Sequence, residues 1–280
     1  MEFFIEGTRS RTNKILPPKY GFLSILTKAY FKKKVEDLTF IPVTINYTRT
    51  LEGETFPIEL TGSEKVKETL GRLIKAIEVF SMNLGTIYLD FCEPIVFSDF
   101  TAQQIKENPK LNPDTQEKDR LTITNNLGLD IIYSLQRNIR MMPTNLVASM
   151  VLLQRKGISA DDLEEKVRFL GQILAQRNIC LSTYGLPSVN TLKIGLQHLA
   201  DYLDVKREMY LPKVTESDNA NYMMLAYYRN PLNQIFFNEG IVIVALQSFG
   251  STIAWQGGVT AEELFTKCCF LSGLLSKEEV

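Results

Sequence analysis

Residues 3–11 read Phe-Phe-Ile-Glu-Gly-Thr-Arg-Ser-Arg, from Phe3 to Arg11. A short apolar run leads directly into an acidic residue, a glycine, two hydroxyls and two arginines. This order is typical of a buried strand that delivers polar residues to its carboxyl end, where ligands bind in α/β folds. We therefore predict a strand over residues 2–5, followed by a ligand-binding loop.

The side chains of this loop suit a phosphate group. Arg9 and Arg11 are separated by one residue and can offer forked N–H donors to phosphate oxygens. Thr8, Ser10 and backbone N–H groups can satisfy the remaining lone pairs. Gly7 permits a close backbone approach or a positive φ.

Glu6 is expected to brace an arginine rather than to contact the phosphate, because two anions repel each other. The alternative interpretation of the whole stretch is a surface turn with ordinary salt bridges, each worth ~0–1 kcal/mol. Both interpretations stay open on the residues alone.

The first hundred residues alternate strand and helix patterns. Alternation of this kind predicts an α/β layer architecture. Helices are predicted over 20–34 and 65–80, the second with Ser63 as its N-cap, and strands over 40–47, 56–60 and 85–91, the last ended by Pro94.

Residues 101–120 are polar and contain Pro109 and Pro113. We interpret this segment as a linker or long loop between an α/β domain (1–100) and a mostly helical C-terminal region (121–280). The helices predicted there span 121–140, 144–155, 160–177, 189–202, 219–229, 231–247 and 261–274, and a short strand is predicted over 209–214.

The charge is unevenly distributed. The formal net charge of −1 argues against nucleic-acid binding by the whole chain, whereas residues 1–34 hold eight basic side chains and two acidic ones. This excess suits an anionic ligand or an acidic surface. For Lys32, Lys33 and Lys34 a solvated helix face is an equally good interpretation. Because the apolar runs are too short to span a bilayer, any membrane contact is expected to be peripheral or made by sequence outside the chain.

Neither the cysteines nor the histidine indicates a catalytic or metal site. The four cysteines lack metal-ligand spacing and are interpreted as reduced, mostly core residues. His198 is the only histidine, and Asp201 and Asp204 follow it at the wrong spacing for a His-x-x-x-x-Asp pair. We therefore expect His198 to be a packed or half-exposed residue.

Residues 4–11 resemble the third signature block of the glycerol-3-phosphate and dihydroxyacetone-phosphate acyltransferase family, and their spacing to residues 18–21 fits as well. Residues 41–47 resemble the fourth block, residues 85–94 the strand that follows it, and residues 227–246 a helical element of the family's C-terminal region. The resemblance is strongest to the animal dihydroxyacetone-phosphate branch, with the glycerol-3-phosphate branch as the near alternative.

The resemblance implies acyl transfer from acyl-CoA, as co-substrate, to the hydroxyl of a three-carbon phosphate, with no bound cofactor and no metal. It also implies a peripheral membrane surface, ether-lipid and glycerophospholipid synthesis, and a peroxisomal location, although the chain carries no targeting signal. By residue-by-residue transfer, the phosphate would be held by Glu6, Gly7, Thr8, Arg9, Ser10, Arg11 and Lys19, and the site wall would be formed by Ile41, Pro42 and Val43.

In this family a His-x-x-x-x-Asp motif supplies the general base, upstream of the block that residues 4–11 resemble. The resemblance therefore assigns no catalytic residue in these 280 residues, and we expect a fragment, truncated at both ends and inactive alone. Two alternatives stay open. One is a non-catalytic paralogue that binds phosphate or lipid, and the other is an unrelated helical interaction module.

Overall fold

The structure, a computed structural model, describes residues 1–8, 10–50, 85–154, 156–182, 189–214, 220–250 and 258–278. The chain forms two compact units, Met1–Pro231 and Leu232–Val280. In the described ranges no helix is both long and apolar enough to cross a bilayer.

Helices dominate the fold. The first unit contains α1 (Tyr20–Phe31), α2 (Phe97–Glu107), α3 (Glu117–Arg137), α4 (Pro143–Leu153), α5 (Ala160–Gln176), α6 (Val189–Leu199) and the start of α7 (Ala220–Ile235). A short 3-10 helix, Ala200–Tyr202, follows α6. The second unit contains α8 (Phe237–Gln247) and α9 (Ala261–Glu278).

The strands form small antiparallel sheets. They are β1 (Thr39–Phe40), β2 (Val43–Tyr47), β3 (Ile87–Phe91), β4 (Ile95–Val96), β5 (Ile158–Ser159), β6 (Leu203–Lys206) and β7 (Met209–Pro212). β1 pairs with β4 and β2 with β3, while β5, β7 and β6 form a three-stranded sheet in that order. The predicted mixed α/β fold with a mostly helical C-terminal region is confirmed at this coarse level.

A proline divides the predicted strand over 40–47 into β1 and β2. Pro42 has no N–H group for a ladder hydrogen bond, so pairing stops at residues 41 and 42. The Cys92 N–H donates to the Pro42 carbonyl at 2.9 Å, which keeps the two strand pairs adjacent.

The strand predicted over residues 2–5 is wrong. Residues 1–4 are irregular, and a turn begins at Ile5. The Gly7 N–H donates to the Phe4 carbonyl at 3.0 Å, and the Lys19 N–H donates to the Ile5 carbonyl at 2.7 Å. Within the apolar run, Ile5 is buried in a cluster with residues of α1 and α3, including Leu23 and Leu127, and Phe3 packs partly against it, whereas Phe4 is exposed.

The prediction of a linker or long loop over residues 101–120 is also wrong, because most of these residues are helical. α2 extends to Glu107 and α3 begins at Glu117, so only residues 108–116 connect them. Both helices are polar on most of their surface; α2 buries only Phe97 and Thr101. The domain division placed at this segment stays a prediction. Ser63, the strand at 56–60 and the helix at 65–80 lie outside the described residues.

Other boundaries follow local chemistry. α5 begins where predicted, because the Ser159 hydroxyl accepts the Asp162 N–H at 3.2 Å as an N-cap. The helix break predicted at residue 230 is wrong, since α7 continues through Pro231 to Ile235. The strands β4, β5 and β6 were not predicted. β4 and β5 have two residues each, too few for a periodic pattern, and β6 alternates apolar with charged residues over only four positions.

The expectation that the cysteines are mostly core residues is wrong. Cys92 is buried, Cys268 is half-buried, and Cys180 and Cys269 are exposed. All four are free thiols, as predicted.

A second buried region centres on α4, whose residues from Pro143 to Ser149 are all buried. α6 approaches α4 closely at Gly195. A Cβ at this position would lie 2.5 Å from the Cγ2 of Val147 and 2.8 Å from the carbonyl oxygen of Pro143. This contact fixes the position of α4, which carries Asn145 to the candidate site described below.

Candidate anion-binding site

Residues 6–19, which we call the signature loop, are closed at their base. The backbone bond between Lys19 and Ile5 joins the two ends, and Ile5 is anchored in the core. Within the loop, the Glu6 carboxylate accepts the Leu16 N–H at 2.8 Å. The backbone of the loop is therefore fixed by two contacts, Lys19 N–H to Ile5 and Leu16 N–H to Glu6, that involve no hydroxyl group.

Glu6 is half-buried at this position. Burial raises the pKa of Glu6 above its ordinary value, although the hydrogen bond from the Leu16 N–H acts in the opposite direction. The sequence predicted that Glu6 braces an arginine. In the structure it braces the backbone at Leu16, and Arg9 lies outside the described residues.

Gly7 is required by the backbone conformation. Its φ is +66°, in the left-handed region that residues with a Cβ rarely adopt. A Cβ here would also lie 2.9 Å from the Cγ of Lys19. Gly7 thus allows the turn to pass close to the other end of the loop.

Three of the polar residues predicted to hold phosphate are exposed: Thr8, Arg11 and Lys19. Ser10 is half-buried, with its hydroxyl oxygen 3.4 Å from that of Thr12. The structure brings Gly7 and Lys19 together at the base of the loop, next to Glu6. Their role in phosphate binding stays a prediction.

The predicted site wall, Ile41, Pro42 and Val43, lies where β1 gives way to β2. Ile41 is exposed, Pro42 is buried and Val43 pairs with Phe91 of β3. The cavity nearest the signature loop is instead lined by the next residues of β2, from Ile45 to Tyr47. The wall role of residues 41–43 also stays a prediction.

α7 holds the far side of the signature loop by two hydrogen bonds. The Asn230 side chain, only 7% exposed, donates to the Thr12 carbonyl at 2.8 Å. The Asn13 side chain donates to the Tyr227 carbonyl at 3.3 Å. Asn13 itself has a φ of 59°, a conformation that asparagine tolerates better than most residues.

Pro231 explains why the Tyr227 carbonyl can accept this bond. Within a helix that carbonyl would receive the N–H of the residue four positions later, which is Pro231 and has none. Pro231 therefore cannot donate to the Tyr227 carbonyl, and Asn13 of the signature loop donates to it instead.

A cavity of about 50 Å³ lies between Asn13 of the loop, β2, the α3–α4 connection and α7. This volume suits ordered water rather than a whole substrate. Asn145 of α4, 5% exposed, lines it and donates to the Tyr228 carbonyl at 2.7 Å, while its own side-chain oxygen accepts the Met142 N–H at 2.6 Å. Asn145 was not predicted as a site residue. The only feature of the local sequence that could have indicated its role is its position in the first turn of α4, after Met142 and Pro143.

Arg140 also lines the cavity but is engaged structurally. Its guanidinium forms a two-point ion pair with Asp90 of β3, including an Nε–Oδ2 bond of 2.9 Å, and donates to the Leu181 carbonyl at 3.2 Å. The hydrogen bonds to Asp90 raise the pKa of Arg140. Its charge is therefore compensated by a carboxylate.

His198 is a packed residue, as the sequence predicted. It is 6% exposed on α6. Burial lowers its pKa, and the positive charge of Arg49 acts in the same direction. Arg49 forms an ion pair of 2.6 Å with Asp201.

The sequence is similar to known acyltransferases. It is 28% identical over 263 residues to human dihydroxyacetone phosphate acyltransferase, which covers 88% of this chain and 39% of that protein. The rabbit protein of the same name is 26% identical, and that alignment covers 99% of this chain and 42% of the relative. A Pseudomonas fluorescens glycerol-3-phosphate acyltransferase is 31% identical over 89% of this chain and 30% of its own length.

The chain thus spans about two fifths or less of the length of these relatives. Residues 58–280 match the family described as the glycerol-3-phosphate acyltransferase C-terminal region. This match covers well over half of the sequence. The chain therefore belongs to the glycerol-3-phosphate acyltransferase C-terminal region family.

Proposed function

We propose that the chain forms the phosphate-holding part of an acyltransferase that transfers an acyl group from acyl-CoA to dihydroxyacetone phosphate. Glycerol 3-phosphate is the alternative acceptor. Family membership and the names of the relatives support acyl transfer to a phosphorylated acceptor. The two acceptors carry the same phosphate, so the signature loop would serve either one.

The observation that carries this proposal is the construction of the signature loop. Its backbone is fixed at Ile5–Lys19 and Glu6–Leu16, while Thr8, Arg11 and Lys19 stay exposed. Backbone N–H donors that are held in place before the ligand arrives lose little freedom on binding. Arg9 and Ser10 would complete the phosphate contacts, with Gly7 allowing close approach. Glu6 would contribute by holding the loop closed.

The general base would come from residues beyond these 280. The sequence contains no His-x-x-x-x-Asp, since its only histidine, His198, is followed five positions later by Leu203. His198 is buried and does not line the cavity beside the signature loop. We therefore propose that the chain alone binds the acceptor without acylating it.

We further propose that the enzyme works at a membrane surface, because its product carries a long acyl chain. The exposed lysines after α1, which are Lys32, Lys33 and Lys34, would contact anionic headgroups. A peroxisomal location and a role in ether-lipid synthesis rest on the family resemblance.

A second candidate function is a non-catalytic paralogue that binds a glycerol phosphate or its lipid. The missing His-x-x-x-x-Asp spacing favours it. Such a protein would bind the acceptor, yet it would gain no activity from an upstream catalytic block.

Binding and turnover should be measured separately. Titration calorimetry with dihydroxyacetone phosphate and with glycerol 3-phosphate tests the loop, with Arg11→Gln as the variant that removes one predicted ligand. Acylation with palmitoyl-CoA is then measured for the 280-residue chain and for a longer version that carries a His-x-x-x-x-Asp block before Met1.

Binding by both versions, with acylation by the longer one alone, is the expected result, and the preferred acceptor identifies the branch. Binding without turnover in either version would favour the paralogue. Acylation by the short chain would show that the base lies within it, and His198→Asn would then be the first variant to assay.

A further inference from the structure

α7 does more than support the signature loop; it brings a further guanidinium group to it. Arg229 lies between the two α7 residues that bond to the loop, Tyr227 and Asn230. Its Nη2 donates to the Asn230 Oδ1 at 3.1 Å. The same amide group donates through its Nδ2 to the Thr12 carbonyl at 2.8 Å. One side-chain amide therefore separates the Arg229 guanidinium from the backbone of the loop.

The charge of Arg229 is not compensated by the part of the protein that the structure describes. Arg49 and Arg140, the other half-buried arginines discussed above, pair with Asp201 and Asp90. Among the described residues, no carboxylate lies within ion-pair distance of Arg229. Its Nε is buried and has no hydrogen-bond partner there.

An arginine side chain cannot lose its proton in a protein, so Arg229 is a permanent positive charge. Buried charges and buried donors are normally paired, and an unpaired one calls for an explanation such as an absent ion. The position of Arg229 beside a loop of hydroxyls and cations makes an anion the fitting partner. Its remaining Nη donors could reach such an anion, while Nε stays covered.

We propose that Arg229 is a further ligand of the anion held by the signature loop, acting together with Arg11. This inference rests on the proposed phosphate-binding role of the loop and deepens it. Asn230 is the positioning residue in this arrangement, because it holds both the Arg229 guanidinium and the Thr12 carbonyl. The ligand class is a phosphate monoester with an exposed phosphate group.

The test uses the full 280-residue chain and titration calorimetry with glycerol 3-phosphate and with inorganic phosphate. Arg229→Gln removes the charge but keeps an N–H donor for Asn230. Arg229→Lys keeps the charge but loses the planar fork. Arg207→Gln, in the exposed turn between β6 and β7, removes the same charge far from the loop in sequence and serves as the matched control.

We expect Arg229→Gln to weaken the affinity for both ligands by about 10-fold or more, as loss of a charge-assisted hydrogen bond does. Arg229→Lys should fall between Arg229→Gln and the unsubstituted chain. Arg207→Gln should leave the affinity unchanged. Circular dichroism and thermal unfolding test whether each variant is folded. If Arg229→Gln does not fold, the affinity of Arg229→Lys decides whether Arg229 binds the anion.

Unchanged affinity in the Arg229 variants, together with weakened affinity in Arg11→Gln, would overturn this inference and leave the proposed function intact. Unchanged affinity in Arg11→Gln as well, or no binding by the unsubstituted chain, would overturn both. A loss in Arg229→Gln that Arg207→Gln reproduces would also overturn the inference, because it would reflect net charge alone.

Discussion

Two ionisable side chains of the first compact unit occupy surroundings that oppose their charged forms. Burial raises the pKa of Glu6 and lowers that of His198. The hydrogen bond from the Leu16 N–H partly stabilises the charged form of Glu6, and this bond holds the backbone of the signature loop. The positive charge of Arg49 disfavours the imidazolium form of His198 further.

This environment of His198 predicts how stability depends on pH. The unfolded chain binds a proton on this imidazole near its ordinary pKa of 6.5, whereas the folded protein binds it only at lower pH. The contribution to the free energy of unfolding is therefore complete above 6.5 and is lost as pH falls towards the lowered pKa. The slope can reach about 1.4 kcal/mol per pH unit. Urea unfolding at a series of pH values measures it.

The His198→Gln variant should lack this slope, because His198 is the only histidine in the chain. Gln197→Ala, at the exposed neighbouring position, should retain it. If His198→Gln kept the full slope between pH 5 and 7, the assignment of that slope to a buried neutral imidazole would be wrong.

At the scale of elements, α7 combines two requirements that conflict in an ordinary helix. It continues through Pro231, which cannot supply the N–H that Tyr227 would normally receive. The open carbonyl is not left unsatisfied, because Asn13 donates to it from a position 214 residues away in the sequence. The hydrogen bond that Pro231 cannot form within the helix is thus replaced by one that holds the signature loop against α7.

Pro231→Ala should remove this attachment by restoring a helical N–H that competes for the Tyr227 carbonyl. In the unsubstituted chain Asn13→Ala is expected to lose about 1 kcal/mol with its hydrogen bond, in addition to the strain of an alanine at positive φ, whereas in the Pro231→Ala background only the strain should remain. Urea unfolding of the two single variants and the double variant measures this coupling.

The matched control uses Pro109→Ala in place of Pro231→Ala. Pro109 is an exposed proline between α2 and α3. The effects of Pro109→Ala and Asn13→Ala should add. Additive effects of Pro231→Ala and Asn13→Ala would instead mean that the proline does not make the carbonyl available.

The elements show what could be predicted from the sequence. Apolar periodicity located α1 and several later helices, because those helices bury a regular face. The strands β2 and β3 were located by their apolar and β-branched residues, although the apolar side chains of β3 are exposed. The prediction failed at residues 2–5, since an apolar run does not reveal whether its backbone finds a strand partner or, as at Ile5, packs as an anchor. It failed at α2 and at the start of α3 because most of their surface is polar and faces solvent.

The composition of the candidate site predicts phosphate binding, and this role stays a prediction. The hydrogen bonds that hold the signature loop could not be predicted. The residue types from Gly7 to Arg11 indicated an anion, and the positive φ of Gly7 was foreseen. The link between the signature loop and α7 was not, because it joins Thr12 to Asn230 across 218 residues through backbone carbonyls, which leave no trace in side-chain patterns. The segments that contain Thr12 and Asn230 each lie in or beside a stretch that resembles the family, but nothing in the sequence indicated that they are in contact.

For the molecule as a whole, the sign of the charge differs between its parts. The net charge is −1, yet residues 1–34 carry an excess of six positive charges, eight basic against two acidic. The signature loop lies within this segment, and its cations Arg11 and Lys19 are exposed to solvent. An anionic ligand would be attracted there by charges that water and salt can screen.

Phosphate binding by the whole chain should therefore weaken strongly with salt. Screening acts over about 10 Å at about 0.1 M salt and about 3 Å at about 1 M, so raising sodium chloride across this range should increase the Kd for glycerol 3-phosphate several-fold. Lys19→Gln should reduce this salt dependence because it removes one of the screened charges. Lys106→Gln, exposed on α2, should not. A Kd that stays constant with salt would mean that hydrogen bonds from Thr8, Ser10 and the backbone, rather than the basic segment, supply the affinity.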